Sequence, residues 1–339
     1  MVGAIVVVES EGSRGDVKQS ASIRSMFDNT RSLACVEVLG RSILERTVDH
    51  LQASGIDSIA VVGSGAGVRH LFDDRRKLAS PGSLNIWHHA TQRVIAQKEQ
   101  GCDAILIVAL GPYSECNAAD LIRFHREQGG ALTRAVEEQG ALDLWVIDPA
   151  AIPYDRELKD YLRSSQASVY PVRCYVNRLE NPRDLRTLIA DGLSSRCGLR
   201  PQGFEVKPGV WMAEGAVVDR GARIVAPAFI GRGAKVGNQC LITRCSNLES
   251  DSRVDYGTVI EDSSVLSNTY VGIGLDLSHS IVDGNRLANL RHDVILEISD
   301  SVVLRRLEEG KSRAEASRRF LANFKFDEVA ISSGEDLRR

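Results

Sequence analysis

The sequence predicts an α/β domain followed by a parallel β-helix, with a helical tail at the end. Two observations lead to this prediction. Short apolar runs alternate with amphipathic helical segments in the first part of the chain, and later a large aliphatic residue recurs at every sixth position. We therefore divide the chain into an α/β domain at 1–195, a β-helix domain at 203–299 and a helical tail at 300–339.

The bulk composition is that of an ordinary globular protein. The 339 residues are 43% hydrophobic and 26% charged, with a formal net charge of −3, which allows two domains with large buried cores. This charge balance argues against a nucleic acid or an acidic membrane surface as a partner. The seven cysteines include no C-x-x-C pair, and the first apolar run, 4–8, is too short for a signal peptide or a membrane span. We expect a cytoplasmic protein with reduced thiols.

The first domain alternates strand and helix patterns, which predicts a mostly parallel sheet covered by helices on both faces. Continuous apolar runs such as AIVVV at 4–8 are typical of strands buried on both faces. Ser42 and Glu45 form a capping-box pattern at the start of the first long helix. The predicted strands are at 4–8, 58–63, 85–89, 104–110, 131–138 and 142–148. The predicted helices are at 42–55, 90–100, 117–128 and 180–193.

A glycine-rich turn follows the predicted strand at 58–63. Its glycines fall at positions 63, 65 and 67, whereas the dinucleotide-binding fingerprint needs its third glycine at the place of Val68. No acidic residue ends a strand about 20 residues later, where that fingerprint expects a ribose ligand. The pattern favours an ordinary glycine-rich turn over a dehydrogenase-type site.

The second domain has a period of six residues. The large apolar positions are Val206, Met212, Val218, Ile224, Ile230, Val236, Ile242, Leu248, Val254, Ile260 and Leu266. The positions four residues later are mostly small: Val210, Ala216, Ala222, Ala228, Ala234, Cys240, Ser246, Ser252, Thr258, Ser264 and Tyr270. Large side chains that point into a narrow core and small ones at tight corners are typical of a β-helix, in which three six-residue rungs make one coil.

The repeat is expected to end near the last part of the chain. Its phase breaks at VGIGLDLSHS, 271–280, and HSIVDG, 279–284, then predicts one more strand. Between 300 and 325, apolar residues that include Val303 and Leu304 suggest a helical cap over the end of the coil. The many arginines of this tail are interpreted as a solvated helix face, with an anion-binding patch as the alternative.

Four segments, 4–14, 34–63, 105–133 and 174–185, resemble segments of the sugar-phosphate nucleotidyltransferases, the family of the NDP-sugar pyrophosphorylases. AIVVVESEGSR at 4–14 is similar to the family's opening strand and its loop A-A-G-x-G-T-R, and 34–63 is similar to the segment that ends in a G-K-P turn and helix. Residues 105–133 resemble the strand, metal loop and L-x-x-F-H helix, and 174–185 resemble the late D-I-x-T-P-x-D-L element. The resemblance implies a Rossmann-like nucleotidyltransferase domain joined to a hexapeptide-repeat left-handed β-helix.

The resemblance also implies a phosphate site in the loop after the first strand. Backbone amides of such a loop would cradle a triphosphate, and an arginine would neutralise the charge that builds on the α-phosphate. On this basis Arg14 is the candidate catalytic residue. The candidate binding residues are Val8, Glu9, Ser10, Gly12 and Ser13.

The chain departs from the family at positions that the chemistry needs. Ser10 stands where the family has its first loop glycine, and the family's proline and lysine fall near Leu33 and Ala34. The metal-binding aspartate falls at Gly111, and the second acidic metal position falls near Asn177. Since the metal bridges the phosphates in this chemistry, its loss would remove several kcal/mol of transition-state stabilisation. No metal ligand is assigned, and Mg²⁺ is expected only if the enzyme is active.

The family's base-binding segment has no clear match. HHATQ at 88–92 occupies that region, and His88 and His89 are interpreted either as functional residues or as structural histidines at a strand end.

The expected function is that of a nucleotidyltransferase-like protein of nucleotide-sugar or polysaccharide biosynthesis in which catalysis is lost or weakened. Its expected partners are a nucleotide or sugar nucleotide, further copies of itself through the β-helix, and an active homologous nucleotidyltransferase.

Two enzyme classes are the alternatives. In an active Mg²⁺-dependent sugar-1-phosphate nucleotidyltransferase, Glu9, Glu11 or Asp16 would supply the metal ligand and Lys18 the missing lysine. A hexapeptide-repeat acyltransferase would need a histidine on a coil. The eleven repeats contain none, because the histidines at 279 and 292 come after them.

Overall fold

The structure is a computed structural model that describes residues 1–8, 23–27, 32–56, 58–63, 86–152 and 157–308. The described chain divides into two compact units. The first contains 1–8, 47–56, 58–63, 86–152 and 157–176, and the second contains 23–27, 32–46 and 177–308.

The elements before residue 200 are helices and strands in alternation. The helices are α1 Ile23–Met26, α2 Ile43–Ala53, α3 Ile86–Glu99, α4 Ala118–Gln128, α5 Leu158–Ser164 and α6 Pro182–Leu193, with a 3₁₀ turn at Leu33–Cys35. The strands are β1 Val2–Val8, β2 Glu37–Val38, β3 Arg41–Ser42, β4 Ser58–Gly63, β5 Ala104–Ala109, β6 Tyr113–Ser114, β7 Leu132–Glu137, β8 Gly140–Ile147, β9 Ser168–Pro171 and β10 Val176–Asn177.

The first unit is built on a six-stranded mixed sheet in the order β4-β1-β5-β8-β7-β9. Strand β1 pairs in parallel with β4 and β5 and is buried from Gly3 to Val8, as its continuous apolar run predicts. Strand β8 runs antiparallel to β5 and β7, whereas β7 and β9 are parallel. The prediction of a mostly parallel sheet is therefore confirmed, with β8 as the reversed strand.

Local signals in the sequence locate the helix starts well. The amide of Ala119 donates to Asn117 Oδ1 at 3.0 Å, which caps α4. The Ser42–Glu45 capping box is also present, since Ser42 N donates to Glu45 Oε2 at 2.8 Å and Glu45 N to Ser42 Oγ at 3.2 Å.

The prediction of a strand at 85–89 is wrong. Residues from Ile86 onward form the first turn of α3, and the buried side chains are Ile86, Trp87, Ala90, Val94 and Gln97. That spacing is helical, but a window of five residues is too short to separate it from a strand.

The second unit is dominated by short strands. They are β11 Phe204–Lys207, β12 Val210–Met212, β13 Val217–Val218, β14 Arg223–Ile224, β15 Ala228–Ile230, β16 Lys235–Val236, β17 Leu241–Thr243, β18 Asn247–Leu248, β19 Arg253–Val254, β20 Val259–Glu261, β21 Ser264–Val265, β22 Thr269–Val271, β23 Asp276–Ser278, β24 Ser280–Asp283, β25 Arg286–Asn289, β26 Val294–Glu297 and β27 Leu304–Arg306.

From β12 to β24 these strands make a β-helix-like coil. Successive strands join three different sheets in turn, so every third strand pairs in parallel with the one before it in the same sheet. One side chain from each rung points inward, and together they form a single apolar column. The small corner residues from Ala228 to Ser264 are fully buried, as predicted.

The column departs from a strict period of six at both ends. Met212, Ile230 and Leu248 align eighteen residues apart, but Leu248 then aligns with Val265 rather than Leu266, because that coil has one residue fewer. Val206 is also outside the column, since it lies in β11, antiparallel to β12, and is 52% exposed.

The predictions about the end of the coil have different outcomes. The six-residue phase does shift, but between Ile260 and Val265 rather than at 271–280, and β22, β23 and β24 continue the coil with Val271 and Leu277 in the column. The strand predicted at 279–284 is confirmed. Leu304 lies in strand β27, which pairs antiparallel with β22, and not in a helix. The tail beyond residue 308 lies outside the described residues.

Candidate functional site

The carboxyl ends of three parallel strands meet at one edge of the first unit's sheet. Val8, the last residue of β1, pairs with Gly63, the last residue of β4, and Leu110 N donates to Val7 O at 2.8 Å. Ligands of open parallel sheets bind beyond this edge, because the connecting loops converge there. Val8 is therefore well located for a site. The remaining candidate residues, Glu9, Ser10, Gly12, Ser13 and Arg14, lie outside the described residues.

The connection after β5 supplies no free carboxylate where the family resemblance places a metal aspartate. Gly111 is buried at that position and has no side chain. The nearest acidic residue along this connection, Glu115, accepts a hydrogen bond from the hydroxyl of Tyr113 at 3.2 Å.

The side chain of Asn177 stabilises a turn. Its Nδ2 donates to Asp184 O at 2.8 Å and its Oδ1 accepts from Leu179 N at 3.1 Å, so both ends of the amide hold the turn before α6. Ala34, near the family's lysine position, is 2% exposed in the 3₁₀ turn. Gly111 has no side-chain oxygen to offer Mg²⁺, and the amide of Asn177 is already used in a turn, whereas Mg²⁺ requires oxygen ligands.

His88 and His89 lie in the first turn of α3, not at a strand end. Near the other end of this helix, Gln97 Nε2 donates to Ala4 O and Ser58 O, at the beginnings of β1 and β4. Because a helix of this length spans about 20 Å, its first turn reaches the carboxyl edge of the sheet. The structure thus brings this histidine pair towards the ends of β1 and β4.

The two histidines have different surroundings. His88 is exposed and its Nε2 lies 3.1 Å from Gln92 Nε2. The Nδ1 atom of His89 is buried and makes no hydrogen bond within the part of the chain that the structure describes. A buried ring nitrogen without a partner is costly, which is compatible with a ligand or water at this place.

A second polar cluster lies on one corner of the coil in the second unit. His279 Nδ1 lies 2.6 Å from Asp262 Oδ2, and Asp262 Oδ1 accepts from Arg186 Nη2 at 2.8 Å. Arg186 is 5% exposed and also donates to the carbonyls of Arg244 and Cys245. Burial lowers the pKa of the Arg186 guanidinium, and the charge of Asp262 opposes that effect.

This corner can orient a proton-transfer group. The Asp262 contact fixes the ring of His279, which is partly exposed, and leaves Nε2 without a partner among the described residues. Such a histidine is equipped to act as a general base or acid. Cys245 occupies the same corner two coils away, about 10 Å from His279 at the usual strand spacing, so it is too far for a Cys–His nucleophile pair.

The sequence alone did not reveal this cluster. The eleven repeats counted in the sequence end before His279, although the predicted β-helix domain extends beyond it; in the structure the coil continues to Asp283 and includes His279. The spacing of seventeen between positions 245, 262 and 279 is the signal that would have found it.

No helix among the described residues is long and apolar enough to cross a membrane. The chain matches no protein-family model, and no curated protein matches it.

Proposed function

We propose that the chain is a sugar-phosphate nucleotidyltransferase-like protein that binds a nucleotide or sugar nucleotide and has lost most or all nucleotidyl transfer. The first unit would then be a Rossmann-like nucleotidyltransferase domain, and the coil a left-handed β-helix. The observation that carries the proposal is Gly111, which brings no carboxylate to the edge where β1, β4 and β5 end.

The lost step follows from the chemistry of phosphoryl groups. Two divalent-cation ligands are needed to hold the ion that neutralises charge on the transferred phosphate. Gly111 has no side chain and Asn177 carries no carboxylate, and both ends of its amide already make hydrogen bonds. Binding, in contrast, needs only backbone amides and a cation such as Arg14. We therefore expect the protein to bind the nucleotide although it no longer catalyses nucleotidyl transfer.

The proposal includes a setting and partners. We place the protein in the cytoplasm, in nucleotide-sugar or polysaccharide biosynthesis, as a homo-oligomer assembled through its β-helix. An active homologous nucleotidyltransferase is the proposed protein partner, because a non-catalytic binder acts on a pathway through a second protein.

The test measures binding and pyrophosphate release by the full chain in the presence of Mg²⁺, nucleoside triphosphates and sugar 1-phosphates. We expect nucleotide or sugar nucleotide to raise the melting temperature, with no pyrophosphate above the level without protein. Arg14→Ala should lose the thermal shift. Arg126→Ala should keep it, because this exposed arginine pairs with Asp103 before β5, at the opposite edge of the sheet.

Two results would overturn the proposal. Robust pyrophosphate release that Arg14→Ala abolishes would establish the active Mg²⁺-dependent enzyme instead. If no nucleotide or sugar nucleotide raises the melting temperature, the proposal that the protein binds a nucleotide is wrong.

The His279–Asp262 contact favours a second candidate, a hexapeptide-repeat acyltransferase. In such an enzyme His279 would take a proton from the acceptor substrate while the acyl group leaves a thioester. The check is acyl transfer from acetyl-CoA by the wild type and by His279→Asn. No transfer and no thermal shift with acetyl-CoA would discard this candidate.

A further inference from the structure

Cys116 and Cys174 face each other in the first unit. Cys116 lies between β6 and α4, and Cys174 lies between β9 and β10. Next to them, Glu115 N donates to Tyr175 O at 3.0 Å, which sets the two cysteines opposite each other on neighbouring chain segments. Paired chain segments lie about 4.8 Å apart, which is compatible with the Cα separation of a disulfide.

The two thiols are close but not equivalent. Cys174 is partly exposed, whereas Cys116 is buried, with 6% exposure. The interaction with Cys116 lowers the pKa of Cys174, and the interaction with Cys174, together with burial, raises the pKa of Cys116. An accessible thiol whose pKa is lowered, beside a protected thiol, is the arrangement of an attacking and a resolving cysteine.

Other thiols of the chain are arranged differently. Cys240 donates to Asp255 O at 2.9 Å, and Cys245 lies 3.7 Å from the hydroxyl of Ser194. Burial raises the pKa of the Cys102 thiol. None of these three has a second sulfur as its partner in the described chain.

We propose that Cys116 and Cys174 form a reversible disulfide by exchange with a low-molecular-weight disulfide. The Cys174 thiolate attacks one sulfur of R–S–S–R, which forms Cys174–S–S–R and releases R–S⁻. The Cys116 thiol gives its proton to the released R–S⁻. The resulting Cys116 thiolate attacks the Cys174 sulfur of Cys174–S–S–R, which expels the second R group as R–S⁻. In sum, two protein thiols lose two electrons and two protons, and R–S–S–R becomes two R–SH.

The bond ties the connection after β5 to the segment after β9. Because the connection after β5 begins at the carboxyl edge of the sheet, oxidation restricts the chain next to the candidate site. The exchange itself needs no bound nucleotide.

The experiment treats the reduced, folded full chain with oxidised glutathione, followed by alkylation and a non-reducing digest for mass spectrometry. We expect a peptide that links Cys116 to Cys174, with the loss of two alkylatable thiols, and its reversal by dithiothreitol. In Cys116→Ser the glutathione adduct should remain on Cys174. Cys245→Ser, which removes another partly exposed thiol, should still form the link.

Three outcomes would overturn the proposal. One is a folded wild type in which Cys174 carries the adduct but no link forms. A second is a link that appears only in urea. A third is Cys174→Ser taking up glutathione on Cys116 as fast as the wild type reacts, since Cys116 would then be the accessible thiol.

Discussion

The carboxyl group of Glu249 lies inside the second unit with no exposure to solvent. Its two oxygens accept from Leu39 N and Gly40 N, each at 2.8 Å. These amides belong to the turn between β2 and β3, where positive φ values of 54° and 87° direct both N–H groups towards the coil. Burial, with a smaller contribution from the charge of nearby Glu37, raises the pKa of Glu249 to about 7.

This buried acid predicts a loss of stability as the pH rises. Below pH 4.5, the ordinary value for a glutamate, both the folded and the unfolded chain hold the proton, so the contribution of Glu249 is complete. Between there and about pH 7 the unfolded chain releases the proton while the folded chain keeps it, and stability falls. The difference corresponds to about 3 kcal/mol. Urea unfolding of wild type and Glu249→Gln over this range measures it.

The wild type and the variants are compared by how steeply the free energy of unfolding changes with pH. Glu249→Gln has no proton to release, so its free energy of unfolding should lack this decline, although the amide costs about 1–3 kcal/mol because one of its ends cannot accept a hydrogen bond. In Glu37→Gln the decline should move to lower pH, since a charge that opposes ionisation of Glu249 is gone. Parallel profiles for wild type and Glu249→Gln would contradict the prediction.

At the scale of elements, the start of α6 is organised by two asparagines. Asn181 accepts from Asp184 N at 3.0 Å and Asp184 accepts from Asn181 N, which completes a capping box. Asn177, four residues before Asn181, donates from its side-chain Nδ2 to Asp184 O. The capping role of Asn181 needs only a side-chain acceptor oxygen, whereas Asn177 also needs its side-chain donor.

This difference predicts unequal effects of the same substitution. Asn177→Asp replaces the donor with a carboxylate oxygen that faces a carbonyl, so we expect a loss of about 1–3 kcal/mol in the free energy of unfolding. Added Mg²⁺ should not restore the loss. The matched control, Asn181→Asp, keeps the capping acceptor and should change stability by less than about 0.5 kcal/mol, because both residues are good N-caps. Urea unfolding checks both, and a Mg²⁺-dependent recovery of Asn177→Asp would revive the metal site.

At the scale of the whole molecule, the second unit is held by one continuous apolar column. Ile242 lies in it with no exposure and aligns with Ile224 and Ile260. Its chain neighbour Leu241 lies in the same strand but is only partly buried. Alternate residues of a strand point to opposite faces, so these two test the inner and outer face of one rung.

Ile242→Ala should destabilise the coil far more than Leu241→Ala. A buried isoleucine reduced to alanine costs about 2–5 kcal/mol, because the narrow column cannot close the cavity. Hydrogen exchange of the coil amides measures the effect, which should extend to the coils on either side of the substitution. Equal effects of the two substitutions would mean that the column is not the main source of stability.

The fold could be predicted as far as its signals are local. Continuous apolar runs located β1 and β5, and the Asn117 cap located α4, because burial and capping leave their marks within a few residues. His88 was assigned to a strand because five residues cannot distinguish the two periods. Leu304 was assigned to a helix although it pairs with Val271, and a partner more than thirty residues away leaves no local mark.

For the candidate site, the six-residue repeat suggested a family resemblance, and the residues at 111 and 177 suggested a missing metal site. Both stay predictions. The proximity of Cys116 to Cys174, and of Arg186 to Asp262 and His279, could not be inferred, since each group joins segments that are distant in sequence.

The sequence by itself determined the strand and helix alternation and the period of the column, because both follow from side chains a few positions apart. Only the tertiary structure decided which of Val265 and Leu266 faces inward, since both are aliphatic and the choice depends on alignment with Leu248. It also decided that His279 belongs to the coil. Local patterns set the kind of element, whereas the pairing of distant strands sets the register, and register decides which side chains meet.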